Sequence, residues 1–172
     1  TPFTDQYING YFVPPDAPYS VPFDPEEAKM TGDDFRPRPR RFTVRKWDVE
    51  KKQLTIDFVA HGDEGYAGAW AQRAKIGDRL QFKGPGGGYH PDPEVDWHLL
   101  AGDESALPAI SASIEALPTA KPCLAFVVVD GPEYEIIIHS DSALQLIWLH
   151  RSKVSEPESA LLDAIKNFDF PE

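Results

Sequence analysis

At 172 residues the chain has room for one large domain or two small ones, each with a core of its own. Hydrophobic residues make up 41% and charged residues 26%, a balance that excludes a disordered or fibrous chain. The formal net charge of −11 excludes a general affinity for nucleic acid or an anionic membrane, so any anionic ligand has to be met by a local basic patch.

In chain order, the first 40 residues are rich in proline and aromatics, with one strand candidate at residues 7–13. Six basic side chains then crowd together: Arg36, Arg38, Arg40, Arg41, Arg45 and Lys46. The prolines at 37 and 39 stiffen the start of this stretch, because each fixes its own φ and keeps the preceding residue extended. From residue 41 to 83 the apolar residues recur with period two, as Phe42/Val44, Leu54/Ile56/Phe58 and Leu80/Phe82. That is the pattern of half-buried antiparallel strands, and it predicts a small barrel with a short helix at 68–74. Gly84-Pro85-Gly86-Gly87-Gly88 reads as a break. Beyond it the strands become continuous apolar runs at 97–101, 123–129 and 144–149. A helix is predicted over 107–117, and another opens at Ser155-Glu156-Pro157-Glu158 with capping-box spacing. Alternation of this kind predicts a parallel sheet covered on both faces. The fold class is a β-barrel plus α/β unit, with a division near 84–96.

Three constellations carry candidate chemistry. In Arg40-Arg41-Phe42-Thr43-Val44-Arg45, a ring beside a hydroxyl and guanidinium groups suits a flat anionic ligand, although a basic turn leading into a strand is the competing reading. Val59-Ala60-His61-Gly62-Asp63, followed by Gly65-Tyr66-Ala67-Gly68-Ala69-Trp70-Ala71, places glycines before a helix where backbone N–H groups approach phosphate. Taken alone, the stretch reads better as a glycine-rich hairpin loop with Trp70 as core. Gly102-Asp103-Glu104-Ser105-Ala106 follows a buried strand and precedes a helix, the order that receives a dinucleotide, or simply connects strand to helix.

The exclusions are firmer. The lone Cys123 rules out an internal disulfide framework and a four-cysteine iron–sulfur cluster. The five histidines show no metal-binding spacing, so no protein metal site is expected. No nucleophile motif, signal peptide or membrane-spanning stretch is visible, and the expected location is the cytoplasm. No sequence feature specifies an oligomeric state. The absent initiator Met, and the stop just after a helical pattern, lead us to expect a chain incomplete at both ends.

Taken in order, Arg-x-Phe-Thr-Val-Arg, His-Gly-Asp with Gly-x-x-x-Trp-Ala, Gly-Asp-x-Leu-x-x-x-Gly-Pro and Ala-Gly-Asp-Glu-Ser-Ala-Leu-Pro-Ala-Ile resemble the siderophore-interacting protein family. These are flavin-dependent ferric-siderophore reductases of the ferredoxin–NADP reductase superfamily. The resemblance implies an FAD-binding antiparallel barrel at 1–90 and an NAD(P)H-binding parallel-sheet domain at 91–172. It assigns Arg40 to the FAD phosphates, Phe42 to the isoalloxazine and Thr43, as the catalytic residue, to the reactive edge. Val44, Arg45, His61, Gly62, Gly68, Ala69, Trp70 and Ala71 complete the flavin site. Gly102, Asp103, Glu104, Ser105 and Ala106 would hold NADPH or NADH, and Arg151 would meet a 2′-phosphate and favour NADPH. Three departures stand out: Phe42 where the family usually has tyrosine, Gly68 where it commonly has serine, and Ser105 in place of threonine. The implied enzyme reduces a ferric siderophore, passing hydride to FAD and single electrons to iron(III). A general flavin or ferredoxin-type reductase, and a non-catalytic flavin- or siderophore-binding protein, are the alternatives.

Overall fold

The computed structural model describes residues 3–59, 65–154 and 156–170. Period-two strands and continuous apolar strands form two separate sheets in two units, one spanning residues 6–87 and the other residues 88–170 with residues 3–5. Among the described residues no helix is long and apolar enough to cross a membrane.

In the first unit, β1 (Tyr7–Phe12), β2 (Arg38–Asp48), β3 (Gln53–Ile56) and β4 (Gln81–Gly86) form an antiparallel sheet in the order β3-β2-β1-β4. A short helix α1 (Pro25–Ala28), capped where Asp24 accepts from the Glu26 N–H at 2.8 Å, interrupts the proline-rich segment. Alternation sorts β1 cleanly: Ile8, Gly10 and Phe12 are buried while Tyr7, Asn9 and Tyr11 are half-buried on the other face. Strand β2 is longer than its apolar alternation predicts. Its first half pairs with β1, Arg38 opposite Phe12 and Thr43 opposite Tyr7, and its second half pairs with β3 beyond a bulge at 44–46. Strand β4 runs straight through the Gly84-Pro85-Gly86 stretch that reads as a break. It lies at the sheet edge, where a proline removes no ladder bond on its outer side. Helix α2 (Ala67–Arg73) brings Trp70 against Phe12, and the rings of Phe12, Phe42, Phe58 and Trp70 form one aromatic cluster with centroids 4.6–6.5 Å apart.

In the second unit, β5 (His98–Asp103), β6 (Cys123–Val129) and β7 (Leu144–His150) form a parallel sheet in that order, with β6 buried along its whole length. Helix α3 (Leu107–Glu115) packs Leu107, Ile110 and Ile114 on the Cys123/Ala125/Val127/Val129 face. On the other face Phe168, just past helix α4 (Pro157–Lys166), meets Phe126 edge-on at 5.4 Å. The Ser155 of the expected capping box lies outside the described residues, and Leu162, expected on the buried stripe of α4, is exposed. Residues 3–5 join this unit because Asp5 Oδ1 accepts from the Gly88 and Tyr89 N–H groups at 2.9 Å each, and Thr4 N–H donates to the Tyr89 carbonyl at 2.9 Å.

Candidate functional site

The register of β1 and β2 decides where the basic patch goes. Arg40 lies opposite Gly10 and Phe42 opposite Ile8, so both share the face that carries the aromatic cluster. Arg40 is exposed, its Nη1 donates to the Pro39 carbonyl at 3.0 Å, and no carboxylate among the described residues pairs with it. Phe42 is half-buried, 4.6 Å from Phe58 and 5.9 Å from Phe12 by ring centroid. Its ring is thus part of the unit's own packing. Thr43 and Arg45 are half-buried on the opposite face, and Val44 is buried beside the cluster.

The remaining arginines separate by partner. Arg36 Nε pairs with Asp33 at 3.0 Å. The Arg41 guanidinium lies 4.2 Å from the centroid of the Tyr7 ring, and that ring covers Gly86 so closely that a Cβ there would fall 2.4 Å from Cζ. Arg38 differs from all of these. Its Nη2 donates to the Asp33 carbonyl at 3.3 Å and its guanidinium lies 5.7 Å from the Tyr66 ring, but its buried Nε has no acceptor.

Tyr66 opens α2 and, with Phe12, Val13, Pro15, Gly65, Ala69, Trp70 and Arg73, lines a cleft of about 740 Å³. Not one acidic side chain is among these residues, in a chain of net charge −11. Of the four α2 residues expected at phosphate, Trp70 has already given its N–H to the Tyr66 carbonyl at 3.0 Å. Regular helix geometry commits Ala71 to Ala67 in the same way, which leaves Gly68 and Ala69 as first-turn residues whose N–H groups have no partner inside the helix. His61 and Gly62 lie outside the described residues. An aromatic wall, cations with no carboxylate partner among the described residues and an orphaned guanidinium donor fit a phosphorylated, ring-bearing cofactor such as FAD.

The second cluster lies at the carboxyl edge of the parallel sheet. Asp103 Oδ1 accepts from the Ser105 N–H at 2.9 Å and the Ser105 hydroxyl at 2.6 Å, and the Ala106 N–H donates to the Asp103 carbonyl at 3.1 Å. The Ser105 hydroxyl bond, ahead of smaller contributions, holds the Asp103 carboxyl below its ordinary pKa and keeps it anionic. Gly102 has a packing reason: a Cβ there would fall 2.5 Å from Ala106 Cβ and 3.2 Å from Ile110 Cδ1, at the start of α3. Arg151 is brought to Glu104, as a two-pronged pair of Nη1 with Oε1 and Nη2 with Oε2 (the latter 2.8 Å), and to Asp130 Oδ1 at 2.9 Å. Led by the Glu104 bonds, these contacts raise the guanidinium pKa further. Glu104, Asp130 and Arg151 end or follow β5, β6 and β7, so parallel register alone collects them. Asp130 was not singled out from sequence, yet it ends a continuous apolar strand as Asp103 does, the same carboxyl-edge signal. Among the described residues no group of three or more His, Cys, Asp or Glu side chains is placed to hold a metal ion.

Comparison with known proteins agrees with both halves. Residues 1–89 match the siderophore-interacting FAD-binding domain, and residues 95–172 match the siderophore-interacting protein family. Ferric vibriobactin reductase ViuB of Vibrio cholerae is 37% identical over 150 residues, which cover 86% of this chain and 54% of that protein. The NADPH-dependent ferric-chelate reductase of Escherichia coli is 34% identical over 113 residues, 66% of this chain and 44% of that protein. The crystal structure of a siderophore utilization protein from T. fusca superposes with a TM-score of 0.81 at 32% identity, covering all of this chain and 66% of that one. The chain therefore spans about half the length of these curated relatives. An antiparallel sheet followed by a parallel one is the arrangement of an FAD-binding barrel with an NAD-binding domain. The chain belongs to the siderophore-interacting protein family.

Proposed function

We propose that the chain is the flavin- and nicotinamide-handling part of a cytoplasmic reductase that releases iron from ferric siderophores. Residues 1–90 would serve the FAD and residues 91–172 the NAD(P)H. The observation that carries this reading is the arginine-rich strand β2 beside an aromatic cleft that has no carboxylate among its described lining residues. The names of the Vibrio cholerae and Escherichia coli relatives support the reaction class. FAD, when bound, supplies the conversion between hydride and single-electron chemistry. The protein's own part is to bind, orient and exclude. Arg40 offers a charge-assisted donor to phosphate, Gly68 and Ala69 offer backbone N–H groups, and Thr43 offers a hydroxyl on the strand that carries the flavin contacts. In the second unit the free edge of the Gly102–Ala106 turn receives the nicotinamide dinucleotide, while Asp103 holds the turn rigid through Ser105. The ferric ion arrives chelated, as substrate, and needs no ligand from the protein.

The reaction class is tested by reducing the FAD-loaded chain with dithionite and offering ferric siderophore, free flavin and ferredoxin as acceptors. The reading expects ferrous iron, trapped by a coloured chelator, to appear faster than either of the other acceptors is reduced. Faster transfer to free flavin or to ferredoxin would make the protein a general reductase. No transfer to any acceptor would make it a binding protein.

Nucleotide choice has its own test. A 2′-phosphate has to displace Glu104 from Arg151 before it is met by a free guanidinium. Glu104→Gln is therefore expected to raise affinity for NADPH over NADH by about tenfold, the worth of one charge-assisted contact. Calorimetric titration with both nucleotides checks it, and an unchanged ratio removes Arg151 from the 2′-phosphate site.

A further inference from the structure

We infer that Arg38, which stands outside the flavin motif, is an anchoring cation for the pyrophosphate of the dinucleotide in the cleft beside Tyr66. The inference rests on the FAD reading and adds a residue to it. Sorting the arginines by what they already touch leads there. Arg36 is engaged by Asp33, Arg41 is stacked on Tyr7, and Arg40 is exposed to solvent. Arg38 alone of these four combines burial with an unmet donor. A buried N–H without an acceptor is costly, so a position that keeps one is expected to gain an acceptor in the working protein.

The guanidinium is also held in place. Arg38 lies opposite Phe12 in the β1–β2 register, its Nη2 is tied to the Asp33 carbonyl, and its plane is drawn to the Tyr66 ring. Phe12 and Tyr66 both line the cleft, so Arg38 neighbours two of its lining residues. Arg73, exposed, puts a cation among the lining residues themselves. A planar donor held beside two lining residues of an aromatic cleft suits two adjacent phosphates better than a mobile lysine, because its fork can meet two oxygens at once. Net charge argues the same way. A chain at −11 whose cleft has no acidic side chain among its described lining residues is expected to use it for an anion.

The test titrates the folded, flavin-free 172-residue chain with FAD and with riboflavin, following flavin fluorescence, in the parent and in Arg38→Gln. Riboflavin carries the ring system without phosphate. Arg38→Gln is expected to weaken FAD binding roughly tenfold to a hundredfold and to leave riboflavin binding unchanged. Arg38→Lys, which keeps the charge and stem and serves if Arg38→Gln does not fold, is expected to lose a smaller factor in the same direction. Equal FAD affinity in parent and variants overturns the inference and leaves the FAD reading standing, the orphaned donor then being met by water. An equal loss of riboflavin in a folded variant also overturns it, because the effect would not be on phosphate. A folded parent that binds no FAD overturns the FAD reading and this inference together.

Discussion

Phe12→Ala is expected to lower the stability of the antiparallel unit by about 3–5 kcal/mol. Phe12 is 2% exposed and is the ring that meets Phe42, Phe58 and Trp70 together, at centroid distances of 5.9, 6.5 and 5.8 Å. Removing it leaves a cavity that three rings on different elements cannot all close, and a loss of this size is a large part of the roughly 5–15 kcal/mol that holds a domain folded. The neighbouring comparison is Phe82→Ala. Phe82 lies on the same sheet, opposite Gly10, but is 47% exposed, so its removal is expected to cost about 1 kcal/mol or less. Denaturant unfolding followed by near-ultraviolet circular dichroism separates the two variants. A Phe12→Ala protein that unfolds at the parent midpoint would show that the aromatic cluster is not the core of this unit.

The second large effect is at Gly102. Gly102→Val is expected to destabilise the parallel-sheet unit by about 1–3 kcal/mol and to abolish nucleotide binding with it. The obstruction is not a flexible side-chain end: the incoming Cβ would sit 2.5 Å from the Cβ of Ala106, which the first turn of α3 holds in place. To admit it, α3 has to move away from β5, and the Asp103–Ser105 turn and the Glu104–Arg151 pair move as well. Even Gly102→Ala meets the same contact, so it should show a smaller loss of the same kind. FAD affinity is expected to be unaffected in both variants, since the flavin residues belong to the other unit. Calorimetric titration with FAD and with NADPH, beside a thermal melt, distinguishes these outcomes. Unchanged melting in Gly102→Val would mean that β5 and α3 are not packed as described, and loss of FAD would mean that the two units do not divide the ligands.

The parallel half was the more legible in sequence, for a physical reason. A strand buried on both faces has to be apolar at every position, so Cys123–Val129 is bounded in sequence where it is bounded in space. The antiparallel half was legible only where alternation is clean. Arg38 and Pro39 precede the alternating residues, and pairing with β1 is what makes them strand; proline at 39 does not prevent this, because its fixed φ is compatible with an extended chain. Gly84-Pro85-Gly86 looks like punctuation, and only its edge position makes it β4. The candidate site divides in the same way. Arg40, Phe42 and Thr43 are candidates by their spacing along one strand, with roles that only the resemblance implies, and Glu104 is one by its place after β5. The pairs that give these residues their company, Arg38 with Tyr66 and Arg151 with Glu104 and Asp130, join separate elements far apart in the chain. Spacing carries no information about them. The Asp103–Ser105 turn is local, yet its internal hydrogen bonds compete with the nucleotide contact expected of both residues, and only coordinates show the internal bonds.

The most direct test of the account is spectral. The chain is loaded with FAD, freed of oxygen and mixed with NADPH while the visible flavin absorbance is followed, and a ferric siderophore is then added with a ferrous-iron indicator present. The account predicts that NADPH removes the flavin absorbance, and that the ferric siderophore restores it as ferrous iron appears. A chain that retains FAD, is reduced by dithionite and yet is not reduced by NADPH or NADH at any concentration would contradict it.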